Sequence, residues 1–141
     1  MSESSDGTIA NCINNGSVTA NFDYARVGGI VGYSYHSEII SCINTGTITA
    51  IGNNVYIGGL VGDYYSDKTI NNSYSILGMN NTSDLNNGEI CTAAQLNSKE
   101  FYTETLGWSE DIWDFSELDV ENSALKLSMS NFEIVTLRVR F

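Results

Sequence analysis

The sequence has no proline and little positive charge, and the second deficit limits the partners it can have. Its 141 residues include six lysines and arginines against 17 aspartates and glutamates, a net charge of −11. Nucleic acids and anionic membrane surfaces both attract basic proteins, so we expect neither as a partner. No stretch approaches the roughly 18 apolar residues of a membrane-spanning helix, so we expect no membrane insertion.

Cysteine and histidine are also scarce. Three cysteines, with no CxxC pair, form neither a disulfide framework nor a zinc site. We expect free, buried thiols at Cys12 and Cys42, with a disulfide between them as the alternative. The single histidine, His36, offers no evident catalytic pair. We therefore expect no catalytic residue and no cofactor.

The beginning of the chain, MSESSDG, lacks both the basic segment and the apolar run of a signal peptide. Residues 1–8 are predicted to be a disordered N-terminal segment that precedes the first repeat.

A repeat of 30 residues follows. Residues 9–38 align with 39–68 without a gap, and 12 of the 30 positions are identical. A partial third copy covers 69–78 after one extra residue. Self-similarity at such a period is typical of proteins built from stacked repeats.

Each copy reads as three short strands, IANCI, SVTA and VGGIVGY in the first, bounded by asparagine and glycine. Three strands per period predict one coil of a parallel β-helix, with coils about 4.8 Å apart. The runner-up fold is an antiparallel β-meander. In the β-helix, identical residues of successive copies lie one above another. The predicted structural ladders comprise Cys12, Cys42, Asn14, Asn44, Gly28, Gly29, Gly32, Gly58, Gly59 and Gly62.

The phrases GIVG at 29–32 and GLVG at 59–62 resemble the GLUG motif, and the pattern around them resembles GLUG-motif repeats over residues 9–78. The resemblance implies a right-handed β-helical segment in an exported bacterial surface protein. Some proteins with such repeats are adhesin-like, and some carry the repeats beside a secreted peptidase domain. The expected location is therefore extracellular or at the cell surface. The repeats of this family carry no catalytic residue.

The remainder, 79–141, is predicted to be an α+β cap on a β-helix of about two to three coils. One helix is expected over about 92–104, because Thr92 and Gln95 have the spacing of a capping box. Trp108, Trp113 and Phe115 are expected to cluster. Residues from Glu133 onward alternate in polarity, which predicts a final strand.

Two groups of residues are candidates for binding. Tyrosines near the corners could stack on a sugar or a protein, or could brace the coils; these are Tyr33, Tyr35, Tyr64 and Tyr65. An acidic segment offers weak calcium ligands at Asp111, Asp114 and Asp119, although a solvated surface is the simpler interpretation.

These features favour a non-catalytic structural or adhesive module, either a stalk or a surface that binds a host or cell-surface glycan or protein. Self-association through the exposed edge of the first coil is a further expectation. The alternatives are a polysaccharide-acting β-helix enzyme and the non-catalytic repeat segment of a secreted peptidase.

Overall fold

A computed structural model describes residues 3–5, 7–65, 69–76, 88–116, 118 and 138–139. The chain divides into two compact units, Met1–Ile90 and Cys91–Phe141. The structure is mainly β, as predicted, with few helical residues and parallel pairing among the strands of residues 3–76.

The strands of the first unit are short, and each repeat contains five of them rather than the predicted three. Before the first repeat lies β1 (Glu3–Ser5), so the prediction of disorder over 1–8 is wrong for these residues. The first repeat contains β2 (Thr8–Ala10), β3 (Ile13–Asn14), β4 (Val18–Ala20), β5 (Arg26–Gly28) and β6 (Val31–Tyr35). The second contains β7 (Glu38–Ile40), β8 (Ile43–Asn44), β9 (Ile48–Ala50), β10 (Tyr56–Gly58) and β11 (Val61–Tyr65). The third begins with β12 (Thr69–Asn71) and β13 (Tyr74–Ile76), and β14 (Glu89–Cys91) follows.

Two kinds of bend produce the extra strands. Asn11, Ser41 and Asn72, which occupy equivalent positions, adopt left-handed backbone conformations with φ of 55°, 53° and 47°. Asparagine tolerates this region better than most residues. The glycine-rich phrase also bends after Gly28, so VGGIVGY forms two strands and not one.

Strand pairing follows the period of the sequence. Ile13 and Asn14 pair with Ile43 and Asn44, and Gly28 pairs with Gly58, each 30 positions away. In the third copy the spacing is 31, as in the pair of Tyr74 with Ile43, which accommodates the one extra residue. Parallel pairing at these spacings is inconsistent with an antiparallel meander, because a meander pairs neighbouring strands through hairpin turns.

The interior of this unit contains two apolar clusters, separated along the chain by the Gly28–Gly29 bend. Val27 belongs to one cluster, with Ala20, Ala25 and Ile48. Ile30 and Val31 belong to the other, which also contains Ile9, Ile39, Cys42, Leu60 and Val61. The aliphatic residues before and after these glycines are thus all buried, but they belong to different clusters.

Asparagine amides connect the repeats at the corner after β3 and β8. Asn14 Nδ2 donates to Asn44 Oδ1 at 2.9 Å. Each asparagine also closes its own turn: Asn44 Oδ1 accepts from Gly46 N at 3.0 Å and Asn44 Nδ2 donates to Gly46 O at 3.2 Å. Asn44 is buried, so these bonds satisfy polar groups that water cannot reach.

Close packing, and not a left-handed backbone, accounts for the repeated glycines. A Cβ on Gly29 would collide with the Asn44 side chain and with Gly59 O, and one on Gly62 would lie 2.6 Å from Gly32 O. No φ in the left-handed range occurs at these glycines; among the described glycines it occurs at Gly52, Gly88 and Gly107. The chains therefore approach one another more closely here than any side chain permits.

The second unit contains α1 (Ala93–Leu96) and a π-helix (Phe101–Thr105) instead of one helix over 92–104. The predicted capping box is present at Thr92 and Gln95. Asn97 ends α1, since its Nδ2 donates back to Ala93 O at 2.9 Å and competes with continued helix. Among the described residues, no helix is long and apolar enough to cross a membrane.

Aromatic side chains form the centre of this second unit. The Tyr102 ring lies 5.5 Å from the rings of Trp108 and Phe115, and Trp108 stacks on Trp113 at 4.4 Å. Strand β15 (Trp113–Asp114) pairs antiparallel with β16 (Arg138–Val139), the described portion of the predicted final strand.

We expect Gly46→Ala to destabilise the protein by about 2 kcal/mol, a typical cost of overpacking. The added methyl group would collide with Gly16 O of the neighbouring repeat. Gly16→Ala is the matched control, because the nearest atom to its Cβ would be 3.6 Å away. Urea unfolding of both variants provides the test, and equal losses of stability would contradict this account of the glycines.

Candidate functional site

The outer surface of β5, β6, β10 and β11 displays aromatic rings. Ser34 of β6 is buried, whereas Tyr33 is half-buried and Tyr35 is exposed. Tyr35 pairs with Tyr65 in register, and their rings stack with centroids 5.2 Å apart and planes 17° apart. Tyr65 is 57% exposed and Tyr35 is 37% exposed. The two rings form a stack with its edges open to solvent.

His36 extends this stack. Its ring lies edge-on to Tyr35, with centroids 4.5 Å apart, and 6.3 Å from Tyr65. A left-handed backbone at His36, with φ of 50°, turns the chain immediately after β6. We name Tyr35, His36 and Tyr65 the tyrosine stack.

A second group on the same surface surrounds Arg26. Its guanidinium carbon lies 4.8 Å from the centroid of Tyr33 and 5.6 Å from that of Tyr56. Arg26 Nε donates to Asp63 Oδ2 at 2.7 Å, and this hydrogen bond raises the pKa of the arginine. We name Arg26, Tyr33, Tyr56 and Asp63 the arginine cluster.

Strand register brings the arginine cluster together. Arg26 pairs with Tyr56 across β5 and β10, and Tyr33 pairs with Asp63 across β6 and β11. These positions differ between the two copies, so the identities that reveal the repeat do not identify them. The 30-residue spacing is the signal that predicts these pairs, because it applies to non-identical positions as well as to identical ones.

An open cleft of about 430 Å³ lies beside the arginine cluster, on the first repeat. Arg26 is part of its wall. The other lining residues are Asn14, Val18, Thr19, Ala20, Phe22, Val27, Gly28, Gly29 and Gly32. Phe22 is 64% exposed, so an aromatic ring is accessible at this cleft.

The four tyrosines predicted as binding residues separate into three environments. Tyr35 and Tyr65 form the tyrosine stack, and Tyr33 belongs to the arginine cluster. Tyr64 is half-buried and packs against the apolar cluster that contains Leu60. Tyr64 thus helps to fill the interior, and it pairs with the buried Ser34.

Cys12 and Cys42 occupy equivalent positions of the two repeats and are free thiols; Cys42 is buried, as predicted, whereas Cys12 is only half-buried. Cys12 and Cys42 each donate Sγ–H at 3.3 Å to the carbonyl two residues earlier, Ala10 O and Ile40 O. Ser73 occupies the corresponding position of the third copy, and its hydroxyl donates to Asn71 O at 2.9 Å. A weak hydrogen-bond donor thus recurs once per repeat, as a thiol twice and as a hydroxyl once.

The calcium candidates form no recognisable metal site in the described part of the chain. No group of three or more His, Cys, Asp or Glu residues able to hold a metal is found among the described residues. Asp111 is exposed, and Asp114 Oδ1 accepts from Ser116 N at 3.0 Å. Asp119 lies outside the described residues.

Alkaline pH should destabilise the protein through its buried thiols. Burial raises the pKa of Cys42 and of Cys91 to about 12, above an ordinary value of 9.0. Between these two pH values the unfolded chain releases the protons while the folded chain keeps them, so stability falls as pH rises. Cys42→Ala should reduce the proton release on unfolding near pH 10 by about one. Urea unfolding at several pH values provides the measurement, and an unchanged pH dependence would contradict it.

Among known proteins, the similarity is to a family motif. No curated protein and no solved structure shows significant similarity to this chain. The family model of the GLUG motif matches residues 23–49, a range that extends from the corner before β5 to the middle of β9. The predicted resemblance is therefore confirmed, and this part of the chain carries a GLUG motif.

Proposed function

We propose that this chain is a non-catalytic β-helical module of a larger bacterial surface or secreted protein, and that its aromatic surface binds glycan or protein. The observation that carries the proposal is the exposed tyrosine stack beside the arginine cluster, both on one outer surface. The GLUG motif at 23–49 supports a repeat module. The exported setting rests on the resemblance.

The strand register supports the β-helical part of this proposal. All the described ladders between the first two repeats are parallel and share the 30-residue spacing. Such pairing results when each repeat completes one coil and lies on the preceding one.

The hydrogen bonds that Asp63 accepts support a binding role for this surface over a catalytic one. Asp63 is engaged through both oxygens, since Oδ2 accepts from Arg26 and Oδ1 accepts from Tyr64 N at 2.9 Å. Polysaccharide hydrolysis generally uses a pair of carboxyl groups that flank the scissile bond. A polysaccharide-acting enzyme therefore remains the alternative that the experiment must distinguish.

The edges of the first repeat support contact with further repeats or copies. Among the described strands, β3, β4 and β5 each pair on one side only. Exposed strand edges readily accept another strand. Strand β1 already occupies this position beside β6, with Glu3 paired to Tyr33. Edge-to-edge association at β3–β5, which we include in the proposal, would cover the cleft that residues of these strands line, so association and ligand binding at that cleft exclude each other.

The binding role is tested with the Tyr35→Ser/Tyr65→Ser double variant. Wild-type protein and variant would be compared on immobilised cellulose, xylan, chitin and polygalacturonate, and on fibronectin as a host surface protein. We expect wild-type retention on at least one of these and a loss of about tenfold in the variant, because the exposed tyrosines supply both an apolar ring surface and a hydrogen-bonding hydroxyl.

Tyr24→Ser is the matched control, since Tyr24 is 66% exposed but belongs to neither the tyrosine stack nor the arginine cluster. It should bind as the wild type does. The soluble products of each polysaccharide would be assayed for new reducing or unsaturated ends. Polymer turnover would favour the enzyme, and equal retention of wild type and double variant would refute the tyrosine surface.

A further inference from the structure

The terminal nitrogens of Arg26 are the strongest unassigned binding groups on the aromatic surface. Nε is engaged by Asp63, whereas the two Nη atoms make no hydrogen bond to any residue in the described part of the chain. The side chain is 48% exposed. Tyr33 and Tyr56 hold the guanidinium plane from two strands, so the donors are presented in a fixed direction.

A guanidinium fork matches a planar carboxylate, which it can bind through two parallel hydrogen bonds. The arginine cluster already binds one carboxylate, that of Asp63, through a single hydrogen bond from Nε. A second anion at the Nη edge would lie at the wall of the cleft that Phe22 also lines. Aromatic rings beside polar groups are the usual combination for holding a sugar ring.

We infer that Arg26 and the adjoining cleft form a subsite for an acidic glycan, in which a uronic-acid carboxylate binds the Nη fork and the sugar ring lies against Phe22. This inference rests on the proposed binding function and specifies its ligand class. Because the protein as a whole is acidic, the attraction for such a ligand must come from the charge of Arg26 itself. The first 90 residues contain only two basic residues, Arg26 and Lys68, against eight acidic ones.

A short probe avoids the repulsion between this acidic protein and a long polyanion. Digalacturonic acid and its methyl ester have the same rings, but only the acid has carboxylates. NMR titration can follow the Nε–H resonance of Arg26 directly, because the sequence contains only three arginines. We expect the acid to shift this resonance and the ester to bind at least tenfold more weakly, since the charge-assisted pair is lost.

Four variants separate recognition from bracing of the strands, and backbone amide resonances follow their binding because Arg26→Gln and Arg26→Lys lack the Arg26 Nε–H. Arg26→Gln should weaken binding of the acid about tenfold, and Arg26→Lys should restore only part of it because lysine lacks the fork. Asp63→Asn should strengthen binding about threefold, because it removes a competing negative charge. Phe22→Ser should weaken binding of acid and ester alike. If Arg26 were only structural, Arg26→Gln and Asp63→Asn would both change the melting temperature, but they would not change the affinity for the acid in opposite directions.

The outcomes distinguish this inference from the function on which it rests. Retention on neutral polysaccharides that depends on Tyr35 and Tyr65, with no Arg26 shift by the acid, overturns the acidic subsite alone. Equal affinity of the wild type for acid and ester also overturns it. Loss of acid binding in Arg26→Gln, together with the gain in Asp63→Asn, supports it even if the tyrosine variant retains its binding.

Discussion

Parallel backbone pairing between residues 30 positions apart determines where the side chains of the first unit lie. Each strand donates and accepts along its neighbour, so every residue is brought beside its counterpart in the next repeat. Asn14 and the buried Asn44 add side-chain bonds to this pairing, since Asn14 donates to Asn44 while each amide closes its own turn. Breaking this register would leave buried polar groups unpaired, which is costly.

The same register produces different results inside and outside the unit. Inside, identical residues meet and fill space in similar ways, as with Ile13 beside Ile43 and Gly28 beside Gly58. Outside, one pair of identical residues, Tyr35 and Tyr65, becomes an exposed stack. Unlike residues meet beside it, where Arg26 lies near Tyr56 and reaches Asp63. The same parallel pairing thus positions the residues of the interior and those of the proposed binding surface.

Sequence reasoning succeeded where the repeat itself carried the information. Identity between the two copies predicted parallel pairing of their equivalent residues and even the shift to 31 residues in the third copy. It failed at the bends, because a left-handed residue such as Ser41 has no distinctive signature within IISCI. It also missed β1, since Glu3–Ser5 is polar and forms a strand only by pairing with β6. The predicted helix failed for a similar reason, as Asn97 ends α1 with a local hydrogen bond.

The sequence by itself determined the period, the parallel register and the positions where glycine is required, because all three recur in both copies. Only the tertiary structure decided that Tyr64 faces the interior while Tyr65 faces solvent, and that Arg26, Tyr33 and Asp63 meet. The physical reason is that a period specifies which residues become neighbours across strands. The direction of each side chain depends on where the strands begin, bend and end, and those points are set by packing between segments distant in sequence.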